Sequence, residues 1–151
     1  MEGRVPEPEY ELKRVVTLNR YLEWATHMAA RYNEDVDGFS GKLDWDDPLF
    51  KRLFMHMCYW YATLYVVIEG WHDLKLSDPK VDSLLVSPHV QLLKRYRNGV
   101  FHFQAEYIDN RHIGFMEAGT EGKKWLHELH TAFHFYFRDW FERHNLDGSL
   151  K

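Results

Sequence analysis

In the segment RYRNGVFHF, residues 95–103, an arginine, an asparagine and a histidine interrupt an aromatic and apolar run. The guanidinium of Arg97 can hold two oxygens of a phosphate in its fork and offset charge that develops there. The imidazole of His102, with an ordinary pKa of about 6.5, can take or give a proton near neutrality. Asn98 adds an amide beside the arginine. These side-chain types suit phosphodiester chemistry on RNA, whose own 2'-hydroxyl is the nucleophile, so that no metal is required. Such cleavage needs a base for that hydroxyl and an acid for the departing 5'-oxygen, and one histidine does not easily serve both. A second copy of the chain across a two-fold axis would supply the other Arg97 and His102. A purely structural reading exists as well: Arg97 pairs with an acid such as Glu69, and His102 closes its helix.

A helix has to position these groups. At about 100° per residue, Leu92, Leu93, Tyr96, Gly99, Val100 and Phe103 share one apolar arc, with Arg97 and His102 on its opposite margins. Lys94, Asn98 and His102 form a row at i, i+4, i+8. Gly99 costs about 1 kcal/mol inside a helix, which predicts a close backbone approach there. If that arc packs near a two-fold axis, each subunit supplies one histidine and one arginine to a shared cleft.

The rest of the chain reads as helices too. Residues 1 to 13, with proline and glycine among charges, predict an irregular N-terminal arm. Val15, Leu18, Leu22, Ala25, Ala29 and Tyr32 recur every three or four positions and predict an amphipathic helix over 15–32. The stretch NEDVDGFSGKLDWDD predicts a surface loop. Asp47 before Pro48 is a helix start, because the carboxylate can accept first-turn amides and proline loses nothing at the first helical position. Phe50, Phe54, Met57, Tyr61, Leu64, Ile68 and Trp71 then alternate steps of four and three, the pattern of the most buried helix. SDP at 77–79 and SP at 87–88 repeat the cap-then-proline arrangement, predicting a short helix over 80–85 and a longer one over 88–103. Residues 105–119 hold no period and predict a loop or brief extended piece. Thr120 is placed to cap a last helix ending near Arg143, with Leu126, Leu129, Phe133, Tyr136 and Trp140 inward, broadened by Trp125, Phe137 and Phe141. The expectation is an all-α, up-down bundle of four or five helices in one domain over 1–151.

Arg97, the polar Asn98, three further residues and His102 resemble the arginine, four residues, histidine signature of the HEPN superfamily. The preceding YWYATLYVVIEGWHDL is similar to the corresponding helix of small HEPN-like proteins, where an acidic residue such as Glu69 lies near the motif. The likeness covers residues 48–143. It implies a helical domain that often dimerises; family members include metal-independent ribonucleases of toxin–antitoxin, defence and RNA-processing systems, and also inactive and nucleotide-binding domains. Carried onto this chain, Arg97 and His102 are the expected catalytic pair and Asn98 assists. No cofactor is implied. The implied partners are a second copy, RNA or a nucleotide, and an antitoxin-like protein. The rival reading is a non-catalytic dimeric module that binds nucleotide, RNA or protein in the same cleft.

Composition narrows the field. With 151 residues and a net charge of -4, the chain has no general positive field for nucleic acid, so RNA contact would be local, around Lys94, Arg95, Arg97 and Arg111. Aromatics make up 17% of the residues, enough for a core and an interface, and part of FHFYFRDWF is expected either to face a second subunit or to fill the core. His127, His130 and His134 at i, i+3, i+7, joined by His27 or His56, would be the candidates for zinc or iron. Glu69-Gly-Trp-His72 supplies one Glu-x-x-His, but a di-iron bundle wants two. No metal is therefore expected, and the histidines read as surface or helix-edge residues. The lone Cys58 in an apolar run reads as a small buried hydrophobe in a reducing compartment. With no signal-peptide pattern and no spanning apolar run, the expectation is a soluble, cytoplasmic protein away from membranes.

Overall fold

The computed structural model describes residues 8–39, 44 and 46–146. Among them are six α-helices and no strand: α1 (Pro8–Asp37), α2 (Pro48–Asp73), α3 (Pro79–Leu85), α4 (His89–Phe101), α5 (Asn110–Met116) and α6 (Gly119–Arg143). None is long and apolar enough to cross a membrane.

α1 is longer at both ends than its apolar period. It is helical from Pro8, so the arm expected through residue 13 holds at most for residues 1–7, which lie outside the described residues. Glu9 and Glu11 sit in the first turn, where carboxylates favour the helix dipole, and Glu9 meets Lys13 one turn on at 3.0 Å. At the other end the expected loop is helical through Asp37, because Asp35 turns inward to accept hydrogen bonds from α2. Of that loop, residues 40–43 and 45 lie outside the described residues.

α2 begins as its local code requires: Asp47 Oδ1 accepts from the Leu49 amide at 2.8 Å, and Pro48 follows at the first position. All seven residues of its apolar register are buried. α2 ends in a left-handed turn at Lys75, φ 54°, with Lys75 N–H donating to His72 O and Leu76 N–H to Trp71 O. This pairing satisfies carbonyls that a helix end leaves open.

The other elements are arranged about α2. α1 packs along one side of it and α4 along another. α6 faces it across large rings, with Trp71 5.5 Å from Phe133 and 4.6 Å from Tyr136 between centroids. Fully buried side chains such as Leu64, Leu126, Leu129 and Phe133 form the centre, each stabilising the fold by about 1.5–3 kcal/mol relative to exposure. α3 is capped by Asp78, which accepts from the Lys80 and Val81 amides, and packs on α6.

Two local expectations are corrected. Residues 110–116 are a helix, α5, rather than a loop: Asp109 accepts from the Arg111 amide while its own N–H donates to His112 Nδ1, and His112 and Phe115 are buried beneath. α6 begins at Gly119, whose φ of 58° suits glycine, so Thr120 lies inside the first turn and does not cap.

Candidate functional site

α4 carries residues 95–101 of the quoted segment, and the centre of its apolar arc is already occupied. Leu93 and Tyr96 are fully buried, and a Cβ on Gly99 would stand 3.1 Å from both Arg111 Cβ and His112 Cε1. The close backbone approach expected at Gly99 is present, but it is made to α5 of the same chain. Leu93, Tyr96 and Gly99 are thus covered within the chain, while Phe103 of the same arc is exposed.

The margin of the arc holds the polar groups. Arg97 Nη2 lies 2.8 Å from Glu69 Oε1, its Nε donates to Asn98 Oδ1 at 3.0 Å, and its guanidinium sits over the Tyr65 ring at 4.9 Å. Carboxylate, amide and aromatic face together hold the guanidinium in one orientation, with its side chain one-fifth exposed. The Tyr65 hydroxyl stays protonated: burial raises its pKa, Glu69 adds to the rise, and Arg97 opposes it. Glu69 and Tyr65 stand one turn apart on α2, a spacing that sequence could have flagged as a shared seat for Arg97.

His102 lies elsewhere. α4 ends at Phe101, short of the expected Phe103, and His102 is its C-cap, with extended backbone and its N–H donating to Asn98 O at 3.1 Å. Its imidazole is exposed and makes no hydrogen bond among the described residues. No hydrogen bond or ion pair joins it to Arg97. The structure thus brings Glu69, Arg97 and Asn98 together and leaves His102 at the helix end.

Around that end is a feature the periodicity did not bring forward. Phe101 and Phe103 are exposed, the latter to 97%, and Tyr59 on α2 packs on Phe101 at 6.3 Å. Met55, one turn before Tyr59, is exposed as well. The signal was present in the sequence, since Met55 and Tyr59 are apolar at positions off the buried register of α2. Of the expected basic rim, Lys94 and Arg95 are exposed, while Arg111 is tied to Gln104 Oε1 at 2.6 Å and to Asp109.

Several of the other candidate groups have structural partners. His130 accepts from Trp60 Nε1 at 3.0 Å through Nδ1 and bonds Thr26 Oγ1 at 2.9 Å through Nε2. His127 packs on Trp60. His56 Nδ1 lies 2.6 Å from Asp35 Oδ2, and Arg52 Nε donates to Asp35 Oδ1 at 3.0 Å. Burial pushes the Asp35 carboxyl up, but these two hydrogen bonds outweigh it and hold the pKa below the usual value. Among the described residues no group of three or more His, Cys, Asp or Glu side chains is placed to hold a metal ion. Cys58 is buried with Sγ 3.4 Å from the Tyr96 hydroxyl, and burial pushes its thiol up to about 11, an inert group at neutral pH. From the aromatic run of α6, Phe133, Phe137, Trp140 and Phe141 fill the core, while Phe135 is exposed beneath Arg138.

Comparison of the chain with protein-family models, with curated proteins and with solved structures finds no match.

Proposed function

We propose that this chain is a HEPN-like, metal-independent endoribonuclease that works as a homodimer on single-stranded RNA. The observation that carries the reading is the held guanidinium: Glu69, Asn98 and Tyr65 orient Arg97 while leaving it partly exposed, on the helix that ends in the unpartnered, exposed His102. Preorganised charge of this kind is what a phosphorane-like transition state needs. His102 of one copy takes the proton from the 2'-hydroxyl, and O2' attacks phosphorus. The P–O5' bond breaks as the partner subunit's His102 protonates the leaving oxygen. Arg97 offsets the charge on the non-bridging oxygens, giving a 2',3'-cyclic phosphate and a 5'-hydroxyl. Tyr59, Phe101 and Phe103 offer flat faces on which bases can stack next to the site.

One observation favours a second reading. The Arg97–Glu69 ion pair neutralises the guanidinium, as in a non-catalytic module that binds nucleotide, RNA or an antitoxin-like protein. Cleavage of labelled single-stranded RNA in EDTA by wild type, Arg97→Ala and His102→Ala, with product ends identified, separates the two. Cyclic-phosphate ends lost in both variants support the nuclease. Equal product from all three proteins sinks it, and retained RNA binding without cleavage selects the module.

A further inference from the structure

A cavity of about 460 Å³ opens between the end of α1, the start of α2, α5 and the start of α6, and it is separate from the Arg97 site. Its walls are mostly apolar, formed by side chains such as Phe50, Phe54, Met57 and Phe115. Three polar side chains on this lining carry the argument: Tyr32, Tyr61 and Lys123. Tyr61 is only 3% exposed and Tyr32 is half-buried, and neither hydroxyl makes a hydrogen bond among the described residues. Burial raises the pKa of both phenols, and at Tyr61 proximity to Tyr32 adds to the rise, so both remain O–H donors. Both hydroxyls face the cavity with their hydrogen-bonding capacity unused by the protein, so an acceptor held in the cavity can take it up. Lys123 brings a cation to the exposed edge, in the first turns of α6.

An apolar body would fill the walls, but a purely apolar ligand would leave the two phenols unpaired. A cationic head would meet Lys123. We propose that this cavity is a binding site for a small amphipathic anion, an alkyl or aryl carboxylate, with its hydrocarbon among the phenylalanines and its oxygens taken by Lys123 and the phenol hydroxyls. A volume of this size is in the range of small-molecule sites.

The test is calorimetric titration of the full chain with decanoate and, as the charge control, decylammonium. Wild type binds decanoate saturably at a single site and decylammonium far more weakly. Leu53→Trp, which fills the cavity from its wall, removes decanoate binding, and circular dichroism verifies that the variant is folded. Lys123→Glu, an exposed change that leaves the core intact, weakens decanoate about tenfold. Absence of saturable decanoate binding overturns the proposal. So does binding unchanged in a folded Leu53→Trp or in Lys123→Glu, or equal affinity for the two head groups.

Discussion

His130 should make the fold acid-sensitive in a defined window. The Trp60 indole N–H donates to His130 Nδ1, so that nitrogen carries the lone pair and the proton sits on Nε2, which donates to Thr26 Oγ1; the Thr26 hydroxyl in turn donates to Leu22 O at 2.8 Å. Charging the ring puts a proton on Nδ1 and sets donor against donor at Trp60. Burial, followed by repulsion from His127 and His134, lowers the pKa from 6.5 to about 4. Between those values the unfolded chain binds a proton that the folded chain refuses. The contribution to stability is therefore complete above pH 6.5, falls as pH drops through the window, and is exhausted below about 4. At about 1.4 kcal/mol per pH unit the total loss is about 3 kcal/mol. The perturbation is His130→Gln, which cannot titrate, and the assay is urea unfolding of both proteins at steps from pH 7.5 to pH 4. Whatever constant amount glutamine costs at neutral pH, wild type should lose about 3 kcal/mol more than the variant across the window. Parallel curves would refute the assignment of a buried, neutral His130. Asp35 and Asp82, both held below 3.8 against the upward push of burial by the hydrogen bonds they accept, lose their contributions only at lower pH and in both proteins alike.

Four further outcomes are expected. Glu69→Gln removes the ion pair to Arg97; under the nuclease reading RNA cleavage falls about ten- to a hundredfold while thermal stability moves by less than about 1 kcal/mol, and unchanged turnover would deny Glu69 a positioning role. Lys75→Gly relieves a non-glycine residue at φ 54°, raising stability by about 1 kcal/mol and the melting temperature by about 2–4 °C in a calorimetric scan. Asp47→Ala deletes the cap of α2 and costs about 1 kcal/mol in denaturant unfolding. Gly99→Ala gains helix propensity but presses its methyl against Arg111 Cβ and the buried His112 ring, which the Asp109 N–H holds in place; a net loss of about 1 kcal/mol is expected, and a gain would mean that α5 can move aside.

The long helices were legible because their information is local. Asp47 and Pro48 place the start of α2 to the residue, and its alternation of four and three marks the buried face without a miss. α5 escaped because seven residues do not complete two turns, too few for a period to appear, although Asp109 and His112 stood at capping-box spacing. Thr120 was a sound cap by residue type, but the left-handed Gly119 moved the start of α6 ahead of it. The first turns of α1 lack a strong apolar period and are stabilised by an exposed Glu9–Lys13 pair together with Leu12 packed on the core, a combination that composition alone obscured.

At the candidate site the division is similar. The residue types and their helical register were encoded along two amphipathic segments, because a 3.6-residue turn fixes which side chains share a face, whereas the nearness of Glu69 to Arg97 was an expectation of the resemblance to small HEPN-like proteins. Tertiary packing alone decided that Gly99 lies against α5, that Arg97 is seated over Tyr65, and that α4 stops at Phe101, leaving His102 as an exposed C-cap with no bond to the arginine. It also decided the fate of the histidines, since whether His130 faces solvent or a tryptophan N–H depends on how α1, α2 and α6 converge. Periodicity specifies a face; which neighbour covers that face, and which polar group it meets there, is settled only when distant parts of the chain compete for the same core.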